Sequence, residues 1–500
     1  MISILIPIYN GIEFISESVN SVLAQTYQDW EVIIGINGHE PDSEIYNIAN
    51  KFASEKIKVI NLYPIRGKPN SLNEMIKYCK YDWIAILDVD DIWYPEKLQK
   101  QIEYIKDYDV IGTKCQYFQD SNIIPNIPIG NITDFNFLSV NPIINSSSLI
   151  KKHLCHWKNH GVEDYDLWLK LRYIIKAKIY NIDEVLVYHR IHKQSAFNNS
   201  NNNNVPDLKK KYSIIQSTTT TVNLKGGLGN QLFQIFTLIS YCIDNNRSFC
   251  FINNKVLGSG SDTIRNTYYE TFLSKLQKYL VNRETINNTF NLVREEGFRY
   301  VNIQNLESDI NILLDGYYQS PLYFNKNYNL IINILNINYL QNELSKKEEL
   351  DYKNTISMHF RLGDYKFKQN YHNILPKTYY MNSLNHILNS VKENLEFKVL
   401  YFYEDEDINT VKETIDELKN YFTNITFIRA NPNLSDWEQL LLMSLCYHNI
   451  IANSSFSWWG AYFNNNKEKI VCYPLKWFGP YITDETIDLF PETWKKINII

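Results

Sequence analysis

Apolar positions along this chain change spacing in a regular rhythm. Ile2 to Ile8 is continuously apolar, as expected of a strand covered on both faces. Ile15, Val19, Val22 and Leu23 then recur at helical spacing. Glu31 to Ile36 predicts a second strand, Leu72, Met75, Ile76 and Cys79 a second helix, and Trp83 to Leu87 a third strand. Such alternation predicts an α/β fold with a mainly parallel, doubly wound sheet. The rhythm resumes after residue 220. Thr221 to Leu224 reads as a strand running into Gly226-Gly227-Leu228-Gly229, followed by a helix with Leu232, Phe233, Phe236 and Ile239 on one face. Ile356 to Phe360, Lys398 to Tyr403 and Ile450 to Ala452 read as strands. Ile408, Val411, Ile415, Leu418 and Phe422 share one helix face. This second part is long enough for two Rossmann-like halves.

One stretch breaks the pattern. Asn198-Asn199-Ser200-Asn201-Asn202-Asn203-Asn204, followed by Pro206, has nothing to bury. It predicts a linker over 198–215 between domains at 1–197 and 216–500. A flexible coil of about nine residues spans roughly 15–20 Å, close enough to pass an intermediate between tethered domains. The 500-residue length alone allows two to four domains.

Composition narrows the function. Hydrophobic residues are 44% and charged residues 21%, which excludes a disordered or multispan membrane chain. A net charge of −5 argues against nucleic acid as a partner. The aromatic load, Tyr 37, Phe 24 and Trp 10, suits sugars and bases but is mostly expected in cores. The seven cysteines are scattered and form no CxxC, which predicts a reduced, cytoplasmic protein. Met1 to Tyr9 reads as a buried strand and not a signal peptide, because Pro7 interrupts it and no basic region precedes it. No run reaches a membrane span; a lipid-linked acceptor would make the protein peripheral.

Trp83 to Leu87 delivers the chain to Asp88-Val89-Asp90-Asp91. Three carboxylates at a strand end repel one another unless a cation sits among them, so the stretch reads as a Mg²⁺ or Mn²⁺ site for a nucleotide diphosphate, against the alternative of a solvated acidic loop. Glu163-Asp164-Tyr165-Asp166 opens a helix, where acids complement the dipole or serve as a general base. Tyr188-His189-Arg190-Ile191-His192-Lys193-Gln194-Ser195 sets two imidazoles beside basic groups. Together with Ile6-Pro7-Ile8-Tyr9-Asn10, Gly67-Lys68 and Leu72-Asn73, these motifs make residues 1 to about 197 resemble family 2 glycosyltransferases. The resemblance implies a GT-A fold with a single Rossmann-type nucleotide-binding sheet, and inverting sugar transfer from a nucleotide donor. It implies Pro7, Tyr9, Asn10, Asn37, Lys68 and Asp88 at the donor, Asp90 and Asp88 at the metal, and His192 at the metal or phosphate. Asp164 would deprotonate the acceptor, with Glu163 the runner-up. Many members carry Asp-Asp-Gly-Ser where this chain has Ile36-Asn37-Gly38-His39. The donor base is therefore left open between UDP and another nucleotide.

The second set lacks paired acids. Gly226 to Gln234 joins strand to helix, where backbone amides favour an anion. His359-Phe360-Arg361-Leu362-Gly363-Asp364-Tyr365 puts an arginine at a strand end, either gripping a diphosphate bidentately or paired with Asp364. Asn453-Ser454-Ser455-Phe456-Ser457-Trp458-Trp459-Gly460-Ala461 combines hydroxyls with two indoles, which wall a pocket or simply pack. With Asp315-Gly316-Tyr317-Tyr318-Gln319-Ser320, these resemble family 11 glycosyltransferases, the α-1,2-fucosyltransferases, over about 221–500. That resemblance implies a GT-B-type pair of Rossmann-type lobes, GDP-fucose as donor, a glycan acceptor, inversion and no required metal. Arg361 would bind the β-phosphate. Gly227, Gly229, Asn230, Gln231, Asn453, Ser454, Ser455, Phe456 and Ser457 would line the donor site, and His359 and Asp364 would lie near the chemistry. Asp436 and Glu438 are second-choice acids. The family often has two adjacent arginines, and Leu362 takes the second place here, which leaves the second donor open between GDP-fucose and another 6-deoxyhexose nucleotide.

The expected function is a bifunctional glycosyltransferase that extends a glycan in sequence. The alternatives are one catalytic domain beside an acceptor-binding module, or a lectin-like protein. The lectin reading leaves Asp88, Asp90, Asp164 and Arg361 unexplained.

Overall fold

The computed structural model describes residues 1–159, 161–192, 204–258, 264–285, 289–348, 351–391, 396–483 and 486–498. The stretch Lys193 to Asn203, with most of the asparagine run, lies outside the described residues. The chain divides into two compact units: Met1–Thr218 with Asn246–Ser248, and Thr219–Asn245 with Phe249–Ile500.

The first unit is built on a nine-stranded sheet. Strand Ile2–Ile8 is buried along its whole length, as its unbroken apolar run predicts. It lies parallel between Trp30–Asn37 and Trp83–Ile86, and Ile57–Leu62 pairs beyond Trp30–Asn37. Past Trp83–Ile86 the sheet turns mixed. Leu149–Lys151 runs antiparallel to Trp83–Ile86 and to Val110–Gln119, while Ile179–Ile191 returns parallel to Val110–Gln119. The parallel expectation therefore holds for only half of this sheet. Ile15, Val19 and Val22 are buried as their spacing predicts, whereas Leu23 is exposed.

The predicted linker needs correction at its end. Asn204–Ser217 is a helix belonging to the first unit. Leu208, Tyr212 and Ile215 form its buried stripe, a helical spacing that the asparagine run before it obscured. The Tyr212 hydroxyl donates to Asp166 Oδ1 at 3.1 Å, and Lys211 Nζ lies 3.3 Å from the same oxygen.

The second unit has two lobes. The slighter carries parallel strands Thr220–Val222, Ile312–Asp315 and Asn291–Arg294. Helix Leu228–Asn245 follows the first of them and buries Leu232, Phe233, Phe236 and Ile239. Each such side chain contributes about 1.5–3 kcal/mol relative to exposure. The larger lobe has six parallel strands: Thr355–His359, Lys398–Phe402, Thr426–Arg429, His448–Ile450, Val471–Pro474 and Lys495–Ile497. Their spatial order is 3-2-1-4-5-6 in chain order, a doubly wound arrangement.

The two indoles of the late motif do not wall a pocket. Trp458 and Trp459 are fully buried, with Phe233 4.5 and 5.0 Å from their ring centres. Their contribution is core packing. All seven cysteines are buried free thiols. Among the described residues, no helix is long and apolar enough to cross a membrane.

Buried His448 accepts a hydrogen bond from the Ile470 amide at its Nδ1, 3.0 Å away. Burial pushes its pKa down from 6.5 to about 4. Between those values the unfolded chain binds a proton that the folded unit refuses, so stability falls as pH falls, by about 1.4 kcal/mol per pH unit for a full proton. His448→Asn should flatten this dependence. Urea midpoints at pH 6.5 and 4.5 should therefore differ less in the variant than in the wild-type protein.

Candidate active sites

In the first unit the sheet order reverses between Ile2–Ile8 and Trp83–Ile86. Such a reversal leaves an open crevice beyond the strand ends. Tyr9 and Asn10 leave one strand there, and Asp88 to Asp91 leave the other. Lys68 Nζ lies 2.6 Å from Asp88 Oδ1, and Asn145 Nδ2 donates to the same carboxylate at 3.1 Å. Burial alone would push the Asp88 carboxyl up, but Lys68 and Asn145 hold it below the usual range. Burial likewise works against the Lys68 charge, and Asp88, Glu163 and Asp164 more than restore it. One lysine thus links the two acid motifs electrostatically.

The three carboxylates have different duties. Asp90 is pushed up by burial, then by Asp91 and Asp88, while His192 Nε2, 3.2 Å from its Oδ2, opposes the shift. Asp91 is fully buried and is not available to a ligand. It accepts hydrogen bonds from the Arg190 amide and from His189 Nδ1, each at 2.9 Å. Arg190 lies between the Phe14 and Phe118 rings and donates from Nε to the Asp90 carbonyl at 2.8 Å. The Asp91–Arg190 clamp therefore pins the loop that presents Asp90. Asp90 Oδ2 and His192 Nε2, 3.2 Å apart, are the two side chains here that could hold a divalent cation, whereas among the described residues the only cluster of three possible ligands is Glu404, Glu406 and Asp407 in the second unit.

Glu163 and Asp164 open helix Glu163–Tyr173. Asp164 accepts from the Tyr165 amide at 2.7 Å and from Asn141 Nδ2 at 3.3 Å. Burial, then Glu163, pushes its pKa up. Tyr9 is exposed, and its ring centre lies 5.4 Å from that of His39. Asn10 is exposed, Asn37 is buried at the end of Trp30–Asn37, and Pro7 is buried inside its strand opposite Gly35. Pro7 therefore shapes the strand rather than facing the crevice.

In the second unit a cavity of about 830 Å³ opens where the larger lobe's strand order reverses. Gly227, Gly229, Asn230, His359, Arg361, Asp364, Asn453, Ser454, Ser455 and Phe456 all line it. Two helix starts meet there. A Cβ on Gly229 would lie 2.4 Å from the Ser455 carbonyl carbon, so only glycine allows this approach. Asn230 Oδ1 accepts from Ser455 Oγ at 2.7 Å and from Gln319 Nε2 at 2.9 Å.

The second motif's arginine reaches the cleft and is also ion-paired. Arg361 contacts Asp364 at 2.5 Å and forms a second ion pair with Glu404. His359 is buried, with its pKa pushed down to about 3 by burial and then by Arg361, so its imidazole stays neutral. Two expected donor residues lie behind the cleft wall. Gln231 is buried and donates to the Gly226 and Asn266 carbonyls, and the Ser457 hydroxyl donates to the Ala452 and Ser454 carbonyls. Glu438 caps its own helix and pairs with Lys347, whereas Asp436 lines the cleft and accepts from the Tyr268 hydroxyl. Tyr317 lines the cleft, but Tyr318 is buried.

Residues 185–497 match the description Glycosyl transferase family 11, and residues 3–162 match Glycosyl transferase family 2. The chain is a glycosyltransferase of family 11 with a family 2 domain ahead of it. Three Escherichia coli proteins are similar to it. The O-antigen biosynthesis glycosyltransferase WbnK is 29% identical, over 51% of this chain and 94% of that one. An α-1,2-colitosyltransferase is 28% identical, over 55% and 97%. The O-antigen biosynthesis glycosyltransferase WbnJ is 30% identical, over 39% and 82%.

This glycosyltransferase also uses residues that its sequence did not flag. Asn145 and Ser146 hold Asp88: Asn145 at the carboxylate and Ser146 Oγ accepting from the Asp88 amide at 3.1 Å. Lys225, Arg265, Glu404 and Arg429 line the second cleft without belonging to any motif. Gly229→Ala should force the two helix starts apart. It should cost about 1–3 kcal/mol of stability in the second unit and reduce that unit's activity, with the first unit unaffected. Denaturation monitored together with separate assays of the two units checks this.

Proposed function

We propose that the two units are independent catalysts that extend one glycan in sequence. The observation that carries this reading is the convergence of distant segments on each crevice. In the first unit Lys68, Asp88 and Asp164 form one charge network beside Asp90 and His192. In the second, the glycine-rich turn, Arg361 and Asn453 to Phe456 line one cavity.

The first unit transfers a hexose or N-acetylhexosamine from a UDP-sugar or another nucleotide sugar, with inversion. Lys68 and Asp88 hold the nucleotide, and Asp164 takes the acceptor hydroxyl proton, with Glu163 the runner-up. Asp90 and His192 hold Mn²⁺ or Mg²⁺, which supplies charge neutralisation at the leaving diphosphate. The second unit transfers fucose from GDP-fucose to a galactoside in an α-1,2 linkage, without a required metal. Arg361 and the two helix starts bind its diphosphate. Asp436 is the cleft acid best separated from the arginine pairs. Similarity to an α-1,2-colitosyltransferase supports the linkage, and makes a colitosyl donor the second reading. The protein works in the cytoplasm, at the membrane face where the acceptor is lipid-linked.

Asp90→Asn should abolish the first transfer and spare the second on a pre-made acceptor, and Arg361→Ala should do the reverse. EDTA should stop only the first. Product analysis over UDP-, GDP- and dTDP-sugars, with and without Mn²⁺, tests both donors. Loss of both transfers in either variant, with the fold intact, would contradict independent sites.

The first transfer also has a pH signature. A base must be ionised, and the Asp164 pKa is raised, so kcat/KM should fall as pH drops through that raised value. Asp164→Asn should remove this limb and cost about 10²–10⁴ in rate, as pH–rate profiles would report.

A further inference from the structure

We propose that Arg265 is a second phosphate-binding cation of the family 11 cleft and provides the positive charge that Leu362 does not. The inference rests on reading that cleft as a nucleoside diphosphate site.

Leu362 cannot serve the cleft even indirectly. It is 7% exposed and packs in the core of the larger lobe with Ile356, Met358 and Phe360. The cleft is nevertheless lined by five side chains with permanent positive charge: Lys225, Arg265, Arg361, Lys368 and Arg429. Four have carboxylate partners. Lys225 pairs with Asp315 at 3.0 Å, Lys368 with Asp364 at 3.5 Å, Arg429 with Asp405, and Arg361 with Asp364 and Glu404. Among the described residues Arg265 has no carboxylate within ion-pair distance. A paired cation must give up or share its carboxylate to meet a phosphate. Arg265 meets one without that exchange, and its guanidinium matches phosphate oxygens bidentately.

Its position is built and not incidental. Arg265–Asn266 pairs antiparallel with Val256–Leu257. The buried Gln231 amide then donates to the Asn266 carbonyl at 2.9 Å and to the Gly226 carbonyl at 3.1 Å. A single side chain therefore fastens the Arg265 strand to the glycine-rich turn, whose amides and helix start favour an anion. On the other side, Tyr365 feels the charges of Arg361 and Arg265 together, and the Arg361 guanidinium lies 5.0 Å from its ring centre. Arg265, Arg361 and Tyr365 line the same cavity from different elements. This accounts for Gln231: it is a positioning residue for Arg265, set behind the wall that Arg265 lines.

The test is isothermal titration of the full chain carrying Asp88→Asn, in EDTA, which silences the first unit's donor site. GDP and GMP are titrated into this chain and into versions that also carry Arg265→Gln or Arg265→Lys. Losing a charged hydrogen-bonding partner should weaken GDP roughly 10- to 100-fold. GMP should weaken less than threefold, and Arg265→Lys should recover part of the GDP affinity. A merely structural role would weaken both nucleotides alike, so equal losses, or no loss, would overturn the proposal with the donor reading intact. Failure of the unsubstituted-Arg265 chain to bind GDP, UDP or dTDP would overturn the donor reading and this inference with it.

Discussion

Both sites depend on one topological constraint. A parallel sheet that adds strands outward in both directions from its first strand sends neighbouring connections to opposite faces. The strand ends on either side of the reversal are then left uncovered, and a ligand can reach backbone amides and side chains from two elements at once. This happens in the first unit between Ile2–Ile8 and Trp83–Ile86, and in the larger lobe of the second between Thr355–His359 and His448–Ile450. The residues that leave those strands, Tyr9, Asp88, Arg361 and Asn453, occupy the crevices for that reason.

The two crevices handle charge in opposite ways. In the first, acids are crowded and one half-buried lysine, Lys68, restrains them. Asp91 is removed from the set altogether by the Arg190 amide and His189. The remaining pressure falls on Asp90, the carboxylate nearest His192. In the second, cations outnumber the charge that any one phosphate group needs, and most are restrained by carboxylates. Paired charges offset one another in the cleft, and a phosphate must displace or share a carboxylate to reach them. Neutral His359 fits this scheme, since a second buried positive charge beside Arg361 would be strongly disfavoured.

Aromatic residues show where local composition misleads. The Trp458-Trp459 pair sits in a motif that faces a cleft, yet helix Ser455–Tyr462 turns both indoles inward against Phe233 and Phe236. Only the start of that helix faces the cavity. The segment read as a linker gave a similar lesson, because asparagines at its beginning concealed the stripe of Leu208, Tyr212 and Ile215 behind them.

By itself the sequence determined the alternation of elements, both families and most of the residues at the two crevices. These features are local: apolar spacing sets strand or helix, and motif residues lie within a few positions of a strand end. Only the tertiary structure decided which motif residues face a crevice. Gln231 and Ser457 turn behind the wall, Asp91 becomes a clamp, and Asn145, Lys225, Arg265 and Glu404 arrive from segments with no motif. The physical reason is that a side chain's partners are set by sheet order and helix rotation. Sequence spacing carries no information about neighbours brought together from tens or hundreds of residues away.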